Sequence, residues 1–497
     1  MNTNPIIQLD FPDPDVIRVE NVYYMISTTM HFFPGGQILK SYDLIHWEHA
    51  AYVFDTLDGT PAQKLEDGTN IYGKGMWAAS LRYHRGTFYV VFVCNDTHKT
   101  YLYRSDCIEG PWTKSYIEGF YHDCSLLFDD DERIYLVHGN REIYLTELNS
   151  SMTGPKFGGI NKLIVKDSDQ TPLGYEGSHL YKINNRYYLF LIHSLEDRWF
   201  RTQACFVSDR IDGDYVGKDI LIDDMGYCNQ GIAQGGIVDT PDGDYYAVLF
   251  QDRGAVGRIP VLIPMEFEEG FVHLLDKDMR NPKTKNLNPG YIYAPLSSSD
   301  DFKEGGTSFG LKSVWQFNHE PNTELFSQNT NIGCLSIKTD RSVDSLPKAH
   351  NIVTQRLFWP TTHAEVTLDA SNLNDGDYAG LCVLQGAYGF VGVHNENGKL
   401  FLEMHSNESM DVQMMSYTYQ ESVKEKIELK DSTVRLYFDA DFDNMNDTVR
   451  FNLGPSHNMY FKLDHFSGNR VGLFIYSTKK AGGSATFTHF VLNNNIN

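Results

Sequence analysis

No stretch of this sequence stays apolar for anything near the ~18 residues a membrane-crossing helix requires. The segment from Met1 to Asp10 has neither a basic start nor a long apolar run, so no secretory leader is expected there. Cysteine is sparse. The seven residues (Cys94, Cys107, Cys124, Cys205, Cys228, Cys334, Cys382) are odd in number, scattered and without a CxxC pair. They read as buried, reduced thiols, which fits a cytoplasmic protein. The Asn-x-Ser/Thr matches at Asn95, Asn149, Asn407 and Asn446 then carry no weight as glycosylation sites. Positive charge is also in deficit, with 42 Lys and Arg against 65 Asp and Glu, a formal net charge of −23. Such a surface repels phosphate backbones and anionic lipid, so neither nucleic acid nor a membrane is expected as partner.

Helical periodicity is scarce in the first three-fifths of the chain. What is abundant is aromatic side chains, 13% of the chain with 30 Tyr and 30 Phe, together with 41 Gly. That mixture favours pleated strands and tight turns and excludes coiled coil and disorder. A chain of 497 residues is too long for one ordinary domain, so two or three folding units are expected.

A turn followed by an aromatic-rich strand recurs five times, at Asn21–Met25, Gly86–Val90, Glu132–Leu136, Asn185–Leu189 and Gly243–Ala247. The anchor aromatic, second of the pair wherever a copy holds two, falls at Tyr24, Tyr89, Tyr135, Tyr188 and Tyr246. The spacing between these anchors is uneven but of one order, as four-stranded blades with variable loops require, so a five-bladed β-propeller is expected. A second repeat, Ser41–Trp47, Ser105–Trp112 and Ser208–Tyr215, reads as the connection between third and fourth strands of a blade.

The first strand of each blade lines the central channel, so equivalent positions converge there. One and the same step back from the anchor reaches Trp77, Asp123, Glu176 and Gln234 in the last four units. In the first unit a step shorter by one position reaches Asp13. Three of five positions are carboxylates. Gathered in one funnel, they repel one another and lose solvent, which drives their pKa values apart. Acid–base hydrolysis needs that split, with one carboxyl kept protonated and another ionised. A tryptophan beside them can floor a sugar ring. The plain alternative is that each acid merely caps a strand. Asp15 is the rival to Asp13 but sits outside the shared register.

These residues resemble glycoside hydrolase family 43. The likeness rests on Phe11–Arg18 followed by Val22-Tyr23-Tyr24, on Phe33-Pro34-Gly35, and on Met76-Trp77-Ala78. Asp123–Leu126 and Tyr175–His179 complete it. The resemblance implies an inverting hydrolase in which Asp13 is the general base, Glu176 the general acid and Asp123 the residue that orients the acid and modulates its pKa. Base and acid would then stand ~6.5–9.5 Å apart to admit a water. Phe32, Phe33 and Trp77 would desolvate the acid, and Arg258, with Arg253 as competitor, would bind substrate. Met30 occupies a position often aromatic in related xylosidases, and His31 and His179 are further candidates for sugar contact. Many members carry a histidine on the fifth inner strand, near a central water or calcium. Gln234 stands there instead, so no cofactor or metal is expected.

The polar run Ser297–Asp301 marks a linker near 294–304, dividing a propeller of residues 1–295 from a second domain of residues 305–497. Alternating segments at Ala364–Leu368, Thr433–Phe438, Val471–Tyr476 and Ala485–Phe490 predict a jelly-roll-like β-sandwich with one face buried and one wet. Asn351–Arg356 and Asp377–Leu381 resemble the C-terminal domain of the xylosidase branch, which implies that it buttresses the propeller and lends a loop to the pocket. The expected activity is exo-acting release of β-D-xylose or α-L-arabinose from oligosaccharides. An endo-arabinanase, a non-catalytic sugar-binding propeller and a protein-interaction scaffold are the competing readings. Self-association into a homo-oligomer is left open.

Overall fold

A computed structural model describes residues 4–275, 279–409, 418–442, 446–462 and 464–494. Its first half consists of five antiparallel blades, each running from the channel outward in chain order. Blade 1 comprises Asp15–Val19, Val22–Ser27, Gly35–Ser41 and Glu48–Phe54. Blade 2 comprises Met76–His84, Thr87–Cys94, Lys99–Ser105 and Thr113–Ile117, and blade 3 Ser125–Phe128, Ile134–Asn140, Glu142–Leu148 and Asn161–Lys166. Blade 4 comprises Glu176–Ile183, Arg186–Ser194, Arg201–Ser208 and Val216–Leu221. In blade 5 the inner strand is broken into Ile232–Ala233 and Ile237–Asp239, both paired with Tyr245–Asp252, followed by Arg258–Glu268 and Phe271–Leu274. Among the described residues, no helix is long and apolar enough to cross a membrane.

The repeated aromatic has a physical reason. Tyr24, Tyr89, Tyr135, Tyr188 and Tyr246 all lie on second strands, and each packs into the apolar seam between its own blade and the next. Sheet faces of successive blades are apolar and twisted, and a flat ring fills the wedge between them. The last seam closes the ring: Tyr246 and Val248 of blade 5 pack with Val16, Met25 and Leu39 of blade 1. Backbone bonds from Ile6 to Pro260, Phe11 to Arg258 and Gly236 to Pro14 reinforce that closure. The three Ser-initiated repeats do join third to fourth strands. In the first, Ser41 Oγ accepts from the amides of Asp43 and Leu44, and Asp43 Oδ1 accepts from Ile45 and His46.

Asp15, fully buried, ties blades together at the channel. Its Oδ2 accepts from the Leu81 amide at 2.7 Å and from Arg82 Nη1 at 2.6 Å, while His179 Nδ1 lies 3.2 Å from Oδ1. Asp15 is therefore a structural ion-pair partner in three-blade contact, and His179 serves it instead of a sugar.

The second half is a sandwich of an eight-stranded and a seven-stranded sheet. Its core sets Val366, Leu368, Phe438 and Phe487 of one sheet against Leu381, Val383, Val391 and Leu473 of the other. Thr361–Asp369 alternates buried and half-buried residues as expected. Arg470–Ser477 does not: it is buried throughout, because Leu346, Ala349 and Ile352 cover Phe474 and Tyr476 on the side expected to be wet. The polar run expected as linker is bonded along the sandwich, with Ser297 Oγ donating to the Arg356 carbonyl and the Asp300 and Phe490 amides exchanging backbone bonds.

The two domains share a sheet. Phe32–Phe33, a propeller loop, forms the edge strand beside Gln316–Asn318, with Phe33 opposite Phe317 and Asn318 opposite Phe32. Asp10 stitches the same junction, its Oδ1 accepting from the Arg258 amide and its Oδ2 from the Gly468 amide.

Candidate active site

The shared register has a shared backbone geometry. Asp13, Asp123 and Gln234 all adopt left-handed conformations, with φ of 51°, 45° and 54°. Non-glycine residues rarely occupy that region, and they cluster at functional sites. In blades 2 and 4 the same displacement is made by a bulge, between Met76 and Ala79 and between Glu176 and His179. Bulges re-aim side chains. In blade 4 the strained position falls on Gly177, φ 62°, where a Cβ would meet Gln234 Cγ and Cδ at 2.7 Å. Only glycine fits there, and its turn directs Glu176 into the channel.

Asp13, Trp77, Asp123, Glu176, Gln234, Met30 and Arg258 line one pocket of about 370 Å³, a size suited to a small polar ligand. Asp13 is buried, with Oδ2 accepting from Thr28 Oγ1 at 2.9 Å and Oδ1 from Arg258 Nη1 at 2.8 Å. Trp77 is pinned by its indole Nε1, which donates to the Gly73 carbonyl at 3.1 Å. Glu176 is partly exposed to the pocket, and its Oε2 accepts from Asn140 Nδ2. Asp123 lies so close that one ligand atom from each of His122, Asp123 and Glu176 falls within 4.8 Å of the others. Burial pushes the Asp123 carboxyl up to about 7. The neighbouring His122 opposes that rise, while Glu176 and Asp13 add to it.

His31 and Phe33 are not pocket residues, and neither is Phe32. The cause is the shared sheet: the loop that carries them is covered by the sandwich. His31 stacks among Phe32, Tyr72, His319 and His465, and Phe33 lies in the seam between blades 1 and 2. Arg253 is held between the rings of Tyr227 and Trp359, which removes it from competition with Arg258.

Several lining residues have no signature in the blade register. His122 stands one residue before Asp123, its Nε2 3.5 Å from Glu176 Oε2 and 3.7 Å from Asp123 Oδ2. Burial lowers its pKa, but Asp123 and Glu176 outweigh that and raise it to about 9. Arg201 pairs with Asp252 and faces Phe250, as Arg258 does. Burial and the nearby Arg258 bring Arg201 down to about 9. Trp199 and Asn140 also line the pocket, and Phe466 reaches it from the sandwich, its ring 5.4 Å from that of Trp77.

The part of the channel around Gln234 and Asp15 does not suit a calcium ion. Glutamine occupies the fifth inner strand, and the fully buried Asp15 carboxylate already carries Arg82, His179 and a backbone amide.

Residues 2–272 match the model of glycosyl hydrolases family 43, and residues 299–493 match the β-xylosidase C-terminal concanavalin A-like domain. The chain belongs to family 43. It is a glycoside hydrolase with the propeller and sandwich architecture of that family. A β-xylosidase of Formosa agariphila is 26% identical, the match covering 97% of this chain and 88% of that one. Xylosidase/arabinosidase 43B of Humicola insolens is 28% identical over 85% of this chain and 82% of its own. Among solved structures, the bifunctional GH43-CE protein of Bacteroides eggerthii superposes with a TM-score of 0.89 at 37% identity and covers all of this chain. This family 43 chain spans 64% of that longer chain.

Proposed function

We propose that this chain is an inverting exo-glycosidase. It removes terminal β-D-xylosyl or α-L-arabinofuranosyl residues from xylo- or arabino-oligosaccharides. The observation that carries the reading is the convergence of Asp13, Asp123 and Glu176 on one pocket walled on one side by Phe466 of the sandwich. A walled pocket accepts a chain end, whereas an endo-arabinanase needs an open groove. The xylosidase and xylosidase/arabinosidase names of the relatives support a pentose.

In this reading the sugar ring lies against Trp77. Asp13, held by Arg258 and Thr28, takes a proton from the attacking water. Glu176 gives its proton to the departing glycosidic oxygen, and Asp123 beside it keeps a proton available to the pair near neutrality. Asp13 stands outside the close-set group of His122, Asp123 and Glu176, which supports an attacking water on the far side of the anomeric carbon. The chemistry uses carboxyl groups alone, so the reading includes no metal or cofactor. No disulfide joins cysteines among the described residues, which supports a cytoplasmic setting.

Turnover of para-nitrophenyl β-D-xylopyranoside against para-nitrophenyl α-L-arabinofuranoside tests it. The wild type is expected to cleave at least one, and Asp13→Ala neither. Glu176→Gln is expected to lose at least ~10²-fold on substrates with unactivated leaving groups. Tight sugar binding without any hydrolysis favours the sugar-binding propeller instead.

A further inference from the structure

Both polar contacts the structure gives Glu176 fall on a single oxygen. Asn140 Nδ2 donates to Oε2, and His122 Nε2 lies 3.5 Å from the same atom. Among the described residues no hydrogen bond is made to the other oxygen of Glu176, a residue that lines the pocket. The His122 ring makes an edge contact with Trp77, centroids 5.3 Å apart.

We propose that His122, as an imidazolium, is a positioning residue that sets the acid strength of the Asp123–Glu176 pair and stabilises the Glu176 carboxylate as its proton departs. The inference rests on the hydrolase reading above. The groups around His122 are of the required sign: Asp123 on its own segment, Glu176 from blade 4 and Asp13 from blade 1 all favour its charged form. His138, behind it in blade 3, is brought down to about 4 by burial and by His122 itself, so it stays neutral and does not compete. Arg258 of blade 5 acts on Asp123 in the same direction as His122, while its Nη1 is hydrogen-bonded to Asp13 and not to Glu176.

A nearby cation lowers the pKa of a carboxyl, so removing it makes the acid weaker. His122→Gln is therefore expected to move the alkaline limb of the kcat/KM profile upward by roughly one pH unit. The same variant is expected to lose activity on oligosaccharides more than on nitrophenyl glycosides, whose leaving groups need little protonation. His122→Lys, which restores a cation, is expected to bring the limb back toward the wild-type position. Thermal melts of both variants establish that they fold. An alkaline limb unchanged in His122→Gln, or a limb that His122→Lys fails to restore, overturns the proposal. If the wild type hydrolyses neither pentoside, the hydrolase reading fails first, and the two failures are distinguishable.

Discussion

Arg258 and Asp13, 245 positions apart in the chain, meet through a 2.8 Å hydrogen bond on opposite sides of the seam that closes the propeller. The contact joins the segment just before the first inner strand to the third strand of the last blade, so the proposed base is aimed correctly only when the ring is closed. A charge-assisted bond of this kind contributes about 1.5–3 kcal/mol. Arg258→Lys is expected to lower kcat/KM by about 10- to 100-fold. Steady-state kinetics on the preferred aryl pentoside check it, and a loss below twofold contradicts the assignment.

Gly177 offers a second handle on the same geometry. Its φ of 62° and the 2.7 Å approach of Gln234 leave no room for a methyl group. Gly177→Ala is expected to cost about 1–2 kcal/mol in stability. The Glu176 carboxyl is then re-aimed, so activity is expected to fall further than the melting temperature suggests. Equal activity per folded molecule sinks the argument.

Phe466 tests the contribution of the sandwich. The loop before it is packed tightly, since a Cβ at Gly73 would meet the Asp464 carbonyl at 2.2 Å. Truncating the ring at its tip leaves that backbone contact alone. Phe466→Ala is expected to raise KM for aryl pentosides at least about fivefold with little change in melting temperature. An unchanged KM removes Phe466 from the pocket wall.

Asp15 concerns stability instead of catalysis. Burial pushes its carboxyl up, but Arg82 and His179 outweigh burial and hold it at about 2. The folded value lies below the ordinary 3.8, so the stabilisation is complete above that value and is lost as pH falls toward about 2. Asp15→Asn leaves Arg82 without its carboxylate partner and is expected to cost about 3–5 kcal/mol at neutral pH. It is also expected to flatten the acid limb of stability between those two values. Urea melts across that window check the sign, and an unaltered acid limb contradicts it.

The blade register was legible because each repeat carries one aromatic in the seam to the next blade, at Tyr24, Tyr89, Tyr135, Tyr188 and Tyr246. From that register Asp13, Trp77, Asp123, Glu176 and Gln234 follow, and all five line the pocket. The segment His31–Phe33 misleads, because its aromatic residues are of the kind a sugar subsite would use. Only the pairing of Phe33 with Phe317, in the other half of the molecule, shows that a second domain covers them. Phe466 is invisible for the same reason, since nothing local ties it to a blade. His122 was within reach: it directly precedes a register carboxylate, but a single histidine has no periodicity to mark it.

The stereochemistry of the first product tests the central claim most directly. Proton NMR of the reaction on a β-D-xyloside, followed before mutarotation, distinguishes the two anomers. Asp13 acting through water opposite Glu176 predicts that α-xylose appears first, with no signal from the Glu176→Gln variant over the same interval. β-Xylose appearing first in the wild type contradicts it.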